Sequence, residues 1–455
     1  MKTTHSTLLA LSISSFTALA SADAFIPTEL KTGPSAQSQA RGFVEEQTLG
    51  GSTRNWYANE LKRRDDRFNY NDHGKPKSSP RRINWVQGTI LDYTSGFTQG
   101  TLGFSTQVAA YNAIALDRDI NHIAGNNNRT LSRRNGDAVG QWSKLGLANV
   151  SARLANTTLT VGRQNFSSPI IDVVGNRALP SSFEGFALHS EAFNNLSFDA
   201  GTFDRVSPRT EQSLSKFRSE YGATGVETDR ATVAGLNYQP FKSLKTTLYA
   251  SHVEDFWNQY YVGAVHDMGD KATLGLNTSF NYYKTLDTGR KAMGDIDNNT
   301  FSLAFALTHQ AHTVALSYQQ VSGDEYFDYL HESGGIYLAN SLLSDFNGPN
   351  EKSLQLAYII DMAPYGLPGL KFNAYHARGW DIDGTGYKGT AYDVRNMHGE
   401  KHSEYSIGTS YAVQSGPLKD TAIRVTYSTH RASKNQSDGN LNEFRVVTTI
   451  PFNLL

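Results

Sequence analysis

Residues 441–453 read LNEFRVVTTIPFN, and their alternation decides the fold. On a strand successive side chains point to opposite faces. Phe444, Val446, Ile450, Phe452 and Leu454 then share one face, while Arg445, Thr449 and Asn453 share the other. The first face suits lipid and the second suits water. The segment before it repeats the pattern, with Ile423, Val425 and Tyr427 opposite Arg424, Thr426 and Ser428. So does the one before that, where Tyr405, Ile407 and Tyr411 oppose Ser406, Gly408 and Ser410.

Working back towards the N-terminus, period-two alternation marks about eighteen segments of roughly ten residues. They fall near 43–61, 83–96, 100–114, 139–154, 157–164, 183–193, 196–206, 230–239, 243–253, 257–267, 272–286, 298–309, 312–323, 351–362, 369–380, 403–414, 421–432 and 441–453. Alternation alone also fits a soluble sandwich whose apolar face is buried against a second sheet. The connections separate the two, because short and long ones alternate. Short turns such as 155–156, 194–195 and 310–311 face long stretches such as 62–82, 117–138, 165–182, 207–229, 324–350 and 381–402, and only Glu254-Asp255-Phe256 is short where a long loop is due. One end of the sheet is trimmed and the other elaborated, as in transmembrane barrels. The expected fold is therefore an all-β, antiparallel transmembrane barrel of about eighteen strands, closed so that no edge meets lipid, with a water-filled lumen.

The N-terminus agrees. Lys2, an apolar run from Leu8 to Leu19 and the small residues Ala20-Ser21-Ala22 have the layout of a secretory signal, cut after Ala22 or after Ala24. The expected division is a signal peptide at 1–22 and one barrel domain at 23–455. Beyond the signal no stretch has the ~18 consecutive apolar residues of a membrane helix, and mean hydropathy is -0.46. There is no cysteine among the 455 residues, so the sheet must hold without disulfides. Without residues 1–22 the chain carries 41 basic against 43 acidic residues, which offers no general basic field for nucleic acid. Electrostatic function must come from local arrangement.

Chemistry-bearing patterns are sparse. His252-Val253-Glu254-Asp255, Asp324-Glu325 and Asp381-x-Asp383-Gly384 complete no metal or acid–base spacing, so no catalytic residue, metal or cofactor is assigned and the chain is read as a non-enzyme. The tyrosines and Trp56 read as interfacial girdles in preference to a sugar-stacking track. Lys284 shares a face with Leu274, Leu276 and Phe280 and reads as a lipid-interface cation.

Several stretches, taken in order, carry a family resemblance: Arg41-Gly42-Phe43-Val44-Glu45, 93–100 (YTSGFTQG), Asn176-Arg177-Ala178-Leu179-Pro180, Gln259-Tyr260-Tyr261, Gly323-Asp324 with Phe327-Asp328-Tyr329, 344–349 (SDFNGP), 381–385 (DIDGT), 413–417 (VQSGP), and His430-Arg431-Ala432 followed by Asn442-Glu443-Phe444-Arg445. The chain resembles the OprD-type outer-membrane carboxylate channels. The resemblance implies passive, selective diffusion of small nutrients, typically carboxylate-bearing, through a basic ladder that faces inward-folded constriction loops. By resemblance the ladder is Arg54, Arg153, Arg424 and Arg445, with Arg177 in the loop at 165–182, and Asp324, Asp328 and Asp345 form a second, acidic wall. Alternation independently turns Arg424, Arg445 and Arg153 inward. Asn258, Gln320 and Thr426 stand where basic residues are expected, so the ladder reads as thinned. Uptake of neutral or oligosaccharide solutes is the alternative, and an outer-membrane enzyme or adhesin barrel the second. Expected partners are small solutes, outer-membrane lipid and lipopolysaccharide, in a monomer or weak trimer of the Gram-negative outer membrane.

Overall fold

A computed structural model describes residues 23–123, 128–133 and 135–455. The signal-peptide reading of 1–22 lies outside the described residues. In chain order the strands are β1 Thr48–Lys62, β2 Phe68–Asp72, β3 Lys75–Ser79, β4 Arg81–Thr94, β5 Leu102–Ala115, β6 Gln141–Leu154, β7 Thr157–Gln164, β8 Ser182–Ser190, β9 Leu196–Ser207 and β10 Ala231–Phe241. They continue with β11 Leu244–Val253, β12 Trp257–Asp270, β13 Leu274–Asp287, β14 Asp297–His309, β15 His312–Ser322, β16 Lys352–Asp361, β17 Leu370–Asp383, β18 His398–Ala412, β19 Ala422–Ala432 and β20 Leu441–Asn453.

Eighteen of these form one sheet, and β2–β3 is a separate hairpin in the loop after β1. Each barrel strand pairs antiparallel with its chain neighbours. The ring closes on β1, where Arg54 lies opposite Thr449 of β20 on one side and Gly88 of β4 on the other. All eighteen expected segments are strands of this ring. The hairpin was not legible in the sequence, because Phe68-Asn69-Tyr70-Asn71-Asp72 is short and polar and lies among charges.

The outer face is apolar over a continuous belt that includes Phe104, Val150, Phe186, Leu248, Phe305, Leu316, Leu356, Ile407 and Phe444, all exposed. A belt of that extent is incompatible with water and fits bilayer hydrocarbon. Inside, the loops at 165–181, 208–230, 323–351 and 384–397 fold back into the barrel. Ile170, Ile171, Phe217, Phe327, Leu330, Tyr392 and Val394 pack on inward aromatics of the β8–β15 wall, among them Phe183, Phe203, Trp257, Tyr261 and Tyr283. Inward loop backbone needs polar partners where water is excluded, and the wall supplies them. Gln259 Nε2 donates to the Asp328 carbonyl (3.3 Å), Gln319 Nε2 to the Asp345 and Phe346 carbonyls (3.0 and 2.8 Å), and the Glu404 carboxylate accepts from Leu343 N and Ser344 N (3.1 and 3.0 Å).

The short-turn end is crossed by residues 23–47. Ile26 N bonds the Pro240 carbonyl, Lys31 N that of Ala192 and Gln37 N that of Ala155. Gln37 then reaches inside to the carbonyls of Thr98 and Gly100. The N-terminal segment thus ties successive turns together under the barrel.

Candidate functional site

With the β8–β15 side filled by loops, the open lumen lies against β1 and β17–β20, a cavity of about 1270 Å³. Its cations come from alternation. Arg54, Arg424 and Arg445 occupy inward positions of adjacent strands β1, β19 and β20, and Arg177 enters from the 165–181 loop. Arg54 Nε donates to Thr449 Oγ1 (3.0 Å) and its Nη1 to the carbonyls of Gly175 and Arg177 (2.8 and 3.0 Å). A wall cation thereby holds the loop that carries the next cation. The loop can approach because position 88 is glycine: a Cβ there would fall 2.4 Å from the Ala178 carbonyl oxygen.

Trp56 lies beneath the cations. The Arg177 and Arg445 guanidiniums sit 5.1 and 5.6 Å from its ring centroid. Such contacts favour a cation over a π face and contribute about 0.5–2 kcal/mol each. The girdle reading of Trp56 is corrected by this placement: the ring is buried on the lumen side, while Tyr57, its neighbour, packs edge-on against Trp85 of the outer face. Tyr261 is likewise interior, donating to Asn281 Oδ1 at 2.6 Å.

Two cations are neutralised within the wall. Arg82 binds Glu60 through two bonds of 2.6 Å, and Arg445 Nη2 binds Glu443 at 2.7 Å. Arg54, Arg177 and Arg424 have no ion-pair partner among the described residues. Burial, with Arg209 close by, lowers the Arg177 guanidinium to about 10 against the pull of Glu60, so it stays charged at neutral pH. Cations stripped of part of their water and left without counter-charge will favour an anion that can accept their hydrogen bonds.

Arg153 points inward as alternation requires but stands apart from this cavity. Near the turn end its Nε donates to Gln37 Oε1 (3.1 Å) and its guanidinium lies 3.8 Å from the Phe97 ring centroid. None of the three aspartates lines this cavity. Asp324 is exposed and accepts from Asn350 (3.0 Å); Asp328 is buried, accepting from Glu220 N, Tyr221 N and Tyr329 N on one oxygen and Tyr392 OH on the other; Asp345 accepts from the hydroxyls of Tyr221, Tyr329 and Ser341. Their loop does border the cavity, through Leu342, Leu343 and Ser344, and the lumenal acids are Glu60, Asp438 and Glu443. An aspartate surrounded by N–H and O–H donors in a folded loop serves the loop's own geometry.

The thinned ladder is also corrected. Asn258 lies between buried, inward Trp257 and Gln259, and Gln320 between buried, inward Gln319 and Val321, so both point outward. Of the three positions only Thr426 lines the cavity. Lys284 shares the outward face of Leu286 and pairs with Asp297.

A second cluster clamps three loops together. Arg209 donates to Glu332 through Nε (2.8 Å), Nη2 (3.2 Å) and its backbone N (2.8 Å), and its Nη1 bonds Asn176 beside Arg177. His331 Nδ1 adds a 2.5 Å contact to Glu220. Apart from Asn176, these residues have no sequence signature, because their partners lie far apart along the chain.

This architecture has close counterparts. The model of the outer membrane porin, OprD family, matches residues 41–454. Over the full length of both chains the protein is 36% identical to Porin D of Pseudomonas aeruginosa. It is 27% identical to the Porin-like protein GalP of Pseudomonas putida, over 92% of this chain and 95% of the other. The crystal structure of OccD3 (OpdP) from Pseudomonas aeruginosa superposes with a TM-score of 0.81 at 46% identity, covering 93% of this chain and 95% of that one. A Pseudomonas aeruginosa OprD structure gives 0.77 at 33% identity, covering 93% and 100%. With its eighteen-stranded closure, apolar belt and inward loops, the chain belongs to the OprD family of porins of the Gram-negative outer membrane.

Proposed function

We propose that this porin selects small carboxylate-bearing nutrients, such as amino acids and organic acids, and passes them by diffusion with no chemical step. The observation that carries the reading is the set Arg54, Arg177 and Arg424, lumenal and without ion-pair partners among the described residues, on one side of a cavity of about 1270 Å³. A carboxylate entering the cavity meets guanidiniums on β19, β1 and the 165–181 loop in turn. Each offers charge-assisted hydrogen bonds. Because the sites are several and similar, none needs to bind deeply enough to stop release. Arg445, already paired with Glu443, would polarise the site more than bind, and Arg153 would meet the solute near the turn end.

The test is planar-bilayer conductance of the purified porin. Small mono- and dicarboxylates are expected to modulate the open-channel current, and Arg424→Gln to weaken that modulation several-fold with the channel still open. Current blocking by neutral oligosaccharides, with carboxylates having no effect, would replace this reading with sugar uptake.

A further inference from the structure

Behind the cationic face, the wall carries a cluster that solute guidance does not use. His402 on β18 and His430 on β19 are inward residues on neighbouring strands, where Glu404 is the direct partner of His430 and His402 lies one diagonal step away. Their rings meet at a centroid distance of 5.0 Å. Asp438, in the loop before β20, stands beside them, and the three ligand-capable atoms lie within 4.8 Å of one another.

The hydrogen bonds fix which ring nitrogens are free. His402 Nε2 faces Glu351 Oε1 at 2.5 Å, so the carboxylate takes that N–H. His430 Nδ1 faces the Gly439 carbonyl at 2.7 Å, and since a carbonyl only accepts, Nδ1 must carry the hydrogen. In the neutral rings the remaining nitrogens, His402 Nδ1 and His430 Nε2, are both lone pairs, and they point at each other across 2.7 Å. Two lone pairs at that distance repel unless a cation lies between them. Asp438 adds negative charge at the same point, and both of its hydrogen bonds, from Ser344 and Gln436, fall on Oδ2.

This is the layout of a histidine metal site, in which each ligand ring donates its other N–H to a carboxylate or a backbone carbonyl. It is built into the fold: a Cβ at Gly379 would fall 2.0 Å from Glu351 Oε1 and 2.5 Å from His402 Nε2, so the neighbouring strand leaves room for that outer contact. His402 is fully buried against Phe346 (4.2 Å), whereas His430 and Asp438 line the cavity. We propose that His402 Nδ1, His430 Nε2 and the Asp438 carboxylate form a divalent transition-metal site of the zinc class in the pore wall, with a fourth position open to the lumen. Tetrahedral Zn²⁺ with bonds near 2.0–2.1 Å separates its ligands by about 3.3 Å, which a small rotation of the His430 ring provides. Ser344 and Glu351 belong to the 323–351 loop, so an ion here would join that loop to β18, β19 and the last loop.

The porin in detergent, stripped with a chelator and titrated with Co²⁺ and then Zn²⁺, is expected to bind one equivalent. The expected Co²⁺ signature is the intense visible absorption of a four-coordinate site, displaced by Zn²⁺. His430→Gln and Asp438→Asn should weaken binding at least tenfold, and Glu351→Gln, which touches only the outer contact, by about 10- to 100-fold. Gel migration that shifts only on heating confirms that each variant holds its barrel. Three outcomes overturn the proposal: no stoichiometric binding by the intact porin, in which case a shared proton sits between the rings; an octahedral Co²⁺ spectrum; or unchanged affinity in a folded His430→Gln barrel. If every folded variant were lost, the wild-type spectrum alone would decide. None of these readings depends on whether carboxylates alter the current.

Discussion

Arg54 on the barrel wall donates a 3.0 Å hydrogen bond to the backbone carbonyl of Arg177 in the inward loop, so one cation of the lumen sets the position of another. Its second loop bond, to the Gly175 carbonyl, makes Arg54 the anchor of the loop's lumenal edge. Bonds from a charged donor contribute about 1.5–3 kcal/mol each. Arg54→Ala should therefore free the loop edge, with noisier and larger single-channel currents than Arg424→Gln, which removes an equal charge without touching the loop. Equal effects of the two substitutions would mean that Arg54 acts by charge alone.

The close approach of Gly88 to Ala178 gives a charge-neutral version of the same experiment. Gly88→Ala must push the loop towards the lumen or distort β4, at a cost of about 1–3 kcal/mol typical of overpacking. The expected result is a narrowed or flickering channel, read as reduced mean conductance. A wild-type conductance at wild-type thermal stability would be evidence against the tight contact.

Trp56 supports two guanidiniums and belongs to one buried cluster with Val86, Tyr111 and Trp142. Truncating a buried tryptophan costs about 3–5 kcal/mol. Trp56→Ala should lower the midpoint of unfolding in detergent and also weaken carboxylate modulation. Trp56→Phe, which keeps a π face, should retain most of both. A girdle residue would give a different result, a change in lipid insertion with the lumen unaffected.

Thr426 and Gln320 make a matched pair, since only the first lines the cavity. Thr426→Lys should raise anion over cation permeability about twofold, on the order of 0.4 kcal/mol, seen as a shifted reversal potential in a salt gradient. Gln320→Lys should leave the reversal potential where it is. A shift from Gln320→Lys comparable to that from Thr426→Lys would place the β15 face in the lumen.

The Arg209–Glu332 clamp predicts an acid limit. Burial alone would raise the Glu332 carboxyl, but the Arg209 guanidinium and its hydrogen bonds pull it down to about 2. A depressed carboxylate contributes stability that is fully present above its ordinary value near 4.5 and is lost as pH falls through about 2. The loops at 165–181, 208–230 and 323–351 should loosen together across that window, as increased protease cleavage or current noise. Glu332→Gln should show the loosened behaviour already at neutral pH, because it leaves Arg209 buried without its counter-charge.

The strands were almost entirely legible because each strand's environment is set by neighbours two residues away. Lipid outside and water inside impose the alternation seen at Phe444-Arg445-Val446, and strand ends fall where alternation stops. The β2–β3 hairpin escaped, since no lipid face disciplines its sequence. The inward direction of Arg424, Arg445 and Arg153 could be read for the same reason. Asn258 shares its face with Tyr260 and Val262, and Gln320 shares its face with Leu316 and Tyr318, so alternation by itself places both outward.

What lies inside the barrel was a different matter. Whether Asp328 faces a solute or a ring of N–H donors depends on how the 323–351 loop meets Tyr392 and the 208–230 loop, and those contacts join residues more than sixty positions apart. Loop sequences carry no periodicity to report such pairings. The sequence by itself therefore determined a closed, lipid-facing barrel with arginines on its inner wall. Only the tertiary structure decided which cations remain unpaired, that Trp56 lies under them, and that His402, His430 and Asp438 converge, because loop packing and cross-strand diagonals depend on distance in space and not along the chain.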